Sequence, residues 1–334
     1  MLAITNKKPL VSIVIPCYNA EKYVGEAIES ALNQKYSPIE VIVINDGSTD
    51  NSLEAIRNYE KLIYYETQAN KGPSIARNRG LQISTASYIQ FFDADDLLDP
   101  QKISKSLDEF SHEIGVVFTD QEEFAENDMA AVKSTVKSSI VKSFREKPAS
   151  WKEDQVLESI IRLSVGTPLP LYRKELLHKY GAFREDLTIL EDVELAFRLA
   201  INKVRFKRIP EKLVKVRRHY TEGRLRLVRD KSFLALQTIY SMRDQAMAAG
   251  MLNPEVKSAL ADQIANHGRK IYLLGYKDMA ENAFEQAYFL NPSPKPTGVP
   301  LYNFFSNIFG LKKTEEFFML LRKGTYKHYG KIDR

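Results

Sequence analysis

Residues 11 to 92 switch repeatedly between short β-branched runs and stretches of helical spacing, and few folds accept that pattern. Val11 to Ile15 is β-branched, whereas Glu21 to Gln34 places Tyr23, Val24, Ala27, Ile28, Ala31 and Leu32 at helical spacing. The order then recurs. Val41 to Ile44, Leu62 to Tyr65 and Tyr88 to Phe92 read as strands, and Asp50 to Tyr59 and Ser74 to Ile83 as helices. A crossover through a helix returns the chain to the same end of a sheet, so strands separated in this way pair in parallel. The expectation is an α/β domain with a mostly parallel sheet and helices on both faces. Ligands bind such open sheets beyond the carboxyl ends of the strands, which directs attention to the residues that follow each strand.

After Phe92 the pattern changes. Asp99-Pro100 predicts an N-cap and first helical position for a helix through Phe110, while residues 120 to 150 are polar and carry no period. Leu190-Glu191-Asp192 precedes a helical segment, Val193 to Ala200. From Asp230 onward the spacing is helical, including Glu255 to Leu274 and Asp278 to Leu290 on either side of a turn at Gly275. That pair, with Ala280, Ala283, Phe284, Ala287 and Tyr288 on one face, resembles one tetratricopeptide-type unit. A single unit does not bury its own core, so it is expected to pack on the α/β domain or on a partner chain such as a second copy. Four prolines between residues 291 and 300 then lead into an aromatic, basic tail, Leu301 to Arg334. The expected division is a first domain over residues 1–228, with halves 1–100 and 101–228, and a helical extension over 229–334.

A chain of 334 residues, 44% hydrophobic and 27% charged, exceeds one typical core and matches an ordinary globular composition. Its single cysteine, Cys17, excludes an internal disulfide and a zinc cluster. Lys7-Lys8 followed by Leu10 to Tyr18 imitates a signal peptide, but Pro16 interrupts the run and no small-residue cleavage site follows. No stretch reaches the roughly 18 apolar residues of a membrane span. A cytoplasmic location is expected, with any membrane contact peripheral at the inner face. Net charge is +5, yet residues 203 to 231 hold twelve Lys/Arg against three acids. That density reads as a solvated helix face and loop, as a diphosphate contact, or as a dock for anionic headgroups. Nucleic acid is not an expected partner, because no helix-turn-helix, RNA-binding or zinc-finger pattern accompanies the charge.

Three strand ends carry the polar groups that matter: Pro16-Cys17-Tyr18-Asn19, Asp46-Gly47-Ser48-Thr49-Asp50 and Asp93-Ala94-Asp95-Asp96. Each has a plain structural reading. Asp-Gly-Ser-Thr-Asp makes a good turn and helix N-cap, a lone tyrosine packs, and an acidic run is solvated. Together on one sheet edge they fit a nucleoside diphosphate: a tyrosine ring covers a base, Asp46 accepts from uracil or ribose, and alternate aspartates ligate a hard cation. The glycine fingerprints of dinucleotide-binding and P-loop proteins are absent, as is the His-Glu-x-x-His of a zinc site.

The segments VSIVIPCYN, EVIVINDGSTDNS, NKGPSIARNRG and IQFFDADD, in this order, resemble the family 2 glycosyltransferases of GT-A fold over roughly residues 9 to 220. The resemblance implies an inverting transferase that moves a sugar from a nucleoside-diphosphate donor, a UDP-sugar, to an acceptor hydroxyl in polysaccharide or glycoconjugate synthesis. It implies that Pro16, Tyr18, Asn19, Asp46 and Asp93 contact the donor nucleoside, that Asn70, Gly72 and Arg77 line the neighbouring pocket, and that Asp95 ligates Mn²⁺ or Mg²⁺. Asp96, whose side chain points the other way along an extended segment, supports the loop. Gly181 to Asp186 followed by Glu191-Asp192 is similar to the family's acceptor motifs, which makes Asp192 the base; Ala182 and Arg184 depart from the pattern and leave acceptor recognition open. In Val216-Arg217-Arg218-His219, His219 stands where some members bring a histidine to the metal or diphosphate. The acceptor expected is a glycan or lipid-linked glycan. The competing reading is a non-catalytic scaffold of a glycan assembly complex, with a vestigial donor site. The tail's Phe304, Phe305, Ile308, Phe309, Phe317, Phe318 and Leu321 with flanking lysines suit a membrane surface or packing on the first domain.

Overall fold

The computed structural model describes residues 8–124, 155–217, 224–297 and 299–322. The alternation at the N-terminus folds as β1 (Val11–Cys17), α1 (Val24–Leu32), β2 (Ile39–Asn45), α2 (Ser52–Arg57), β3 (Tyr64–Thr67), α3 (Pro73–Ile83) and β4 (Tyr88–Phe91). These four strands are parallel, with Val11 opposite both Ile39 and Tyr88. Side chains alternate across a strand, and β1 uses both faces. Val11, Ile13, Ile15 and Cys17 pack with Val24, Ala27, Ile28 and Ala31 of α1 and Ile56 of α2. On the opposite face Val14 meets α3 so closely that a Cβ on Gly80 would lie 2.2 Å from its Cγ1, so glycine permits the approach. Helices therefore cover both faces, as expected. β3 begins two residues beyond the expected Leu62, because Leu62 and Ile63 donate their amides to Tyr59 and close a turn after α2.

The sheet continues through β5 (Leu97–Leu98), α4 (Lys102–Asp108), β6 (Ile114–Phe124), α5 (Val156–Leu163), β7 (Pro170–Arg173), α6 (Lys174–Tyr180), α7 (Glu191–Ile201) and β8 (Arg205–Arg217). Its order is β3-β2-β1-β4-β7-β6-β8-β5, and β7 runs antiparallel to both β4 and β6. Three expectations change. The helix expected from Pro100 opens at Lys102, since Asp99 first closes a turn, accepting from the Gln101 amide on its carboxylate (2.8 Å) and from the Lys102 amide on its carbonyl (2.9 Å). Residues 120 to 124, read as irregular, extend β6. The basic run, read as helix and loop, is strand β8 over residues 205–217. These last two findings share a cause. Strands β6 and β8 lie side by side, and their opposite charges pair: Arg205 with Glu113, Arg208 with Asp120 (2.9 Å) and Lys215 with Glu122 (3.5 Å). Charged residues interrupt the apolar ones of both strands, whose Val117, Ile209 and Leu213 share a core cluster, and each strand supplies counter-charge to the other.

A second compact unit is helical: α8 (Arg224–Ala248), α9 (Pro254–Leu273), α10 (Lys277–Leu290) and α11 (Pro300–Arg322). Asn253 caps α9 by accepting from the Val256 amide (2.8 Å), with Pro254 at the first helical position. Gly275, at φ 93°, makes the turn into α10. Where α9 crosses α10, a Cβ on Gly268 would lie 2.9 Å from that of Ala283, so the crossing is built on small residues. Gly310, at φ 80°, breaks α11 into two helical segments. Tyr302 and Leu311 of α11 are buried, while Phe304, Ile308, Phe309 and Phe317 are exposed. Among the described residues no helix is long and apolar enough to cross a membrane.

Candidate active site

The carboxyl ends of β1, β2 and β4 converge on one edge of the sheet, and backbone amides lace their loops together. Asn19 adopts φ 49°, a conformation Asn tolerates better than most residues, and its Oδ1 accepts from the Thr49 amide (2.8 Å). Its own amide donates to Ser48 Oγ (3.1 Å), and the Ala20 amide donates to Ser52 Oγ (2.8 Å). The Asp46 to Asp50 segment is thus the turn its composition suggests. Asp46 does more than turn the chain. It is buried, and its carboxylate accepts from Gln68 Nε2 (2.7 Å), the Lys71 amide (3.0 Å) and the Gly72 amide (2.8 Å). Gly47, at φ 71°, has no room for a side chain, since a Cβ would lie 2.6 Å from the Asn70 amide nitrogen. The loop before α3 is held against β2 by these contacts.

Within this edge lies a cleft of about 540 Å³, inside the range of small-molecule sites. Pro16, Tyr18, Asn19, Asp46, Asn70, Gly72, Arg77 and Asp93 all line it, with Asp95 beside them. Tyr18 is half exposed at the cleft, which gathers the residues expected to meet the donor. Arg77 is buried at the inner end. Its Nη2 donates to Asp93 Oδ1 (2.8 Å) and its Nη1 to Glu191 Oε1 (2.8 Å), while the guanidinium lies 5.1 Å from the centre of the Phe183 ring. One cation therefore joins the strand end of β4 to the first turn of α7.

The acidic cluster is not uniform. Asp93 faces Arg77, Asp95 lines the cleft, and Asp96 turns inward, where its Oδ1 accepts from the Arg217 amide (2.9 Å). Burial, reinforced by Asp93, pushes the Asp96 pKa up to about 8. Arg217 fixes the loop from behind: its Nε donates to the Asp95 carbonyl (2.9 Å) and its Nη2 to Glu26 (2.5 Å). Its guanidinium sits between the rings of Tyr23 and Phe124, 4.7 and 4.6 Å from their centres. His219 lies outside the described residues.

Asp192 opens α7 and is not among the residues lining the cleft. Its Oδ2 accepts from the Thr167 amide (2.9 Å) and its Oδ1 from the Val193 amide (2.8 Å). A Cβ on Gly166 would lie 2.1 Å from Oδ2, so the 166–168 loop wraps the carboxylate closely. Burial first, and Glu191 next, raise its pKa to about 6 against the opposing pull of Arg77. In the segment that departs from the acceptor motif, Arg198 donates to the carbonyls of Gly181 (2.8 Å) and Ala182 (2.6 Å), and Arg184 pairs with Asp186 (2.6 Å).

Three participants were not singled out from sequence: Gln68, Glu191 as the partner of Arg77, and Arg217. Glu191 was visible beside Asp192, but nothing local marked it as the fixed member of the pair. Arg217 was visible within a basic run and near His219, where charge density hides a buried guanidinium.

A sequence model described as Glycosyl transferase family 2 matches residues 12–180, just over half of the chain. The chain belongs to that family. A Haemophilus influenzae relative described as an uncharacterized glycosyltransferase is 46% identical over 103 residues, covering 30% of this chain and 41% of its own length. This family 2 chain matches less than half the length of the first curated relatives. Its fold is shared with Staphylococcus aureus TarS 1–349 crystallised with UDP-GlcNAc, at TM-score 0.53 and 18% identity, over 97% of this chain and 94% of that one. It is shared too with the Pyrobaculum calidifontis mannosyltransferase PcManGT in complex with GDP-Man and Mn²⁺, at TM-score 0.52 and 17% identity, over 91% and 88%. That architecture is the GT-A fold expected from the sequence.

Proposed function

We propose that this chain transfers a sugar from a UDP-sugar to an acceptor hydroxyl with inversion, Asp192 acting as general base. The observation that carries the reading is the Arg77 bridge, which ties the donor-cleft residue Asp93 to Glu191, the neighbour of Asp192. One buried cation thus reaches both a residue of the cleft and the neighbour of the proposed base. In the reaction the Asp192 carboxylate takes the hydroxyl proton and the acceptor oxygen forms the new bond at the anomeric carbon. The bond to the nucleoside diphosphate breaks with its electron pair leaving on phosphate oxygen. A carboxylate whose pKa is raised toward neutrality is a better base than an ordinary aspartate. With acid–base control by Asp192, kcat falls as pH drops through about 6. A pH–rate profile checks this: Asp192 is active ionised, so an acid limb near pH 4 in place of one near 6 counts against the assignment.

Among the described residues no group of three or more His, Cys, Asp or Glu side chains is placed to hold a metal alone. The donor set nonetheless fits a divalent cation, since magnesium and manganese commonly take one or two carboxylates and complete their shell with substrate phosphates. Asp95 would hold it, on a backbone that Arg217 fixes. Bound there, Mn²⁺ or Mg²⁺ neutralises charge on the departing diphosphate. Asp95→Ala should weaken UDP binding at least tenfold in Mn²⁺ and leave metal-free binding unchanged, read by calorimetry. Equal affinities in both conditions would remove Asp95 from the metal site.

The decisive experiment is a thermal-shift screen of UDP- and GDP-sugars with Mn²⁺, followed by assay of slow donor hydrolysis. Selective stabilisation by one UDP-sugar together with nucleotide release supports the transferase. Binding with no release in Asp192-intact protein, with or without glycan acceptors, supports the scaffold reading instead.

A further inference from the structure

Lys102 of α4 and Gln90 of β4 are both completely buried, although neither touches the cleft. Lys102 Nζ donates to Gln90 Oε1 at 2.6 Å. The Gln90 amide nitrogen donates in turn to the Phe91 carbonyl (2.8 Å) and to the Pro168 carbonyl (2.7 Å). Pro168 ends the segment Gly166-Thr167-Pro168, whose Thr167 amide holds Asp192 Oδ2 and whose Gly166 leaves no gap beside that oxygen. A turn, with the Leu169 amide donating to the Gly166 carbonyl (3.0 Å), keeps the segment compact. Hydrogen bonds thus tie α4 through Gln90 to the 166–168 segment, whose backbone in turn holds the carboxylate.

The direction of each bond matters. A glutamine amide has two orientations, and here one end must face two carbonyl oxygens. Only the NH₂ end satisfies them, so the carbonyl end must face Lys102, and a lysine, which has donors and no acceptor, enforces that choice. Burying an amine in this place is unfavourable: desolvation lowers the Lys102 pKa to about 7. An apolar residue would fill the space without that cost. Charged or neutral, the amine still has a hydrogen to give to Oε1.

We propose that Lys102 and Gln90 are positioning residues for Asp192, holding the 166–168 segment so that the Thr167 amide stays on Oδ2. The inference rests on the reading of Asp192 as base. The groups that set Asp192's ionisation are Glu191, Arg77, Asp93, Tyr172 and the Thr167 and Val193 amides. Of these, only the Thr167 amide depends on the Lys102–Gln90 arrangement. Losing a donor to the ionised form raises a carboxyl pKa.

The test uses the full chain carrying Lys102→Met, a substitution that removes a desolvated amine and keeps the volume, so the fold should survive. Thermal stability should change little, because the orphaned Gln90 Oε1 opposes the gain from removing the desolvated amine. UDP-GlcNAc hydrolysis in Mn²⁺ should show kcat lower by about tenfold, an acid limb moved to higher pH, and UDP affinity by calorimetry within twofold of wild type. Gln90→Met should act in the same direction and more strongly, because the Pro168 carbonyl then loses its donor outright. Wild-type kcat and an unmoved acid limb in a folded Lys102→Met protein overturn the proposal, as does a loss of kcat matched by an equal loss of UDP binding. A crystal structure of Gln90→Met gives a reading independent of turnover: a displaced Thr167 amide supports the proposal, and an intact bond to Asp192 Oδ2 overturns it. If wild-type protein releases no UDP, the reading of Asp192 as base fails, and the crystal structure still decides whether the two residues hold the segment.

Discussion

Asp192→Asn abolishes sugar transfer while UDP affinity stays within about twofold of wild type. The substitution is nearly isosteric, and an asparagine carbonyl oxygen in place of Oδ2 still accepts from the Thr167 amide, so the surrounding loop keeps that anchor while the Val193 amide loses its acceptor. What disappears is basicity. A positioned general base is worth about 10²- to 10⁴-fold, and kcat should fall within that span. Donor binding is spared because the cleft is lined by other residues and Asp192 acts on it only at a distance, through the charges of Arg77 and Asp93. Glu191 is the obvious competitor for the role, yet its Oε1 is engaged by Arg77 at 2.8 Å and it is nearly sealed from solvent, so a proton arriving there would break the bridge between the two halves of the site. Turnover assay and calorimetry on the same preparation decide the matter: an Asp192→Asn enzyme working within tenfold of wild type gives the role to another group.

The extent to which this site could be read from residues alone follows a physical divide. Tyr18, Asn19, Asp46 and Asp93 sit directly after strands whose apolar runs are self-evident, so strand order and the rule of ligands at carboxyl ends were enough to gather them. Asp46 was expected to face the ligand. Its carboxylate also takes three protein donors from the 68–72 loop, contacts made across 22 to 26 residues that local pattern cannot encode. Arg217 stands further off still. It is joined to Glu26 over 191 residues and to Asp95 and Asp96 over about 120, and its neighbours in sequence are ordinary strand lysines and arginines. Strands β6 and β8 were hard to read for a related reason: their buried apolar residues, among them Val117, Ile209 and Leu213, are interrupted by charges whose partners lie on the other strand. Sequence period reports burial against a generic apolar core; it is blind to burial bought by a specific partner far along the chain.

Arg77→Met should be the most damaging single change in the first unit, lowering stability by about 3–5 kcal/mol, since removing one partner of a buried ion pair leaves the others uncompensated. Here two carboxylates lose their cation at once. Glu191, with a side chain 11% exposed, recovers little hydration, while Asp93, at 31%, recovers more and tempers the loss. Lysine is a poor substitute, because a single ammonium does not reproduce the fork that reaches Asp93 and Glu191 from separate nitrogens, nor the planar contact with Phe183. Arg77→Lys should therefore regain only part of the stability. Function responds separately from folding: with the bridge gone, Asp93 turns away from the cleft wall and Glu191 and Asp192 repel each other without the guanidinium between Asp93 and Glu191, so Asp192 binds its proton more tightly and the acid limb of kcat moves up. Chemical denaturation reports the first effect and the pH–rate profile the second. If the Met variant matched wild type in denaturation midpoint and kept the acid limb in place, the guanidinium would be a surface of the donor cleft and nothing more, and the coupling between donor and base would have to run through the backbone of the 166–168 segment instead.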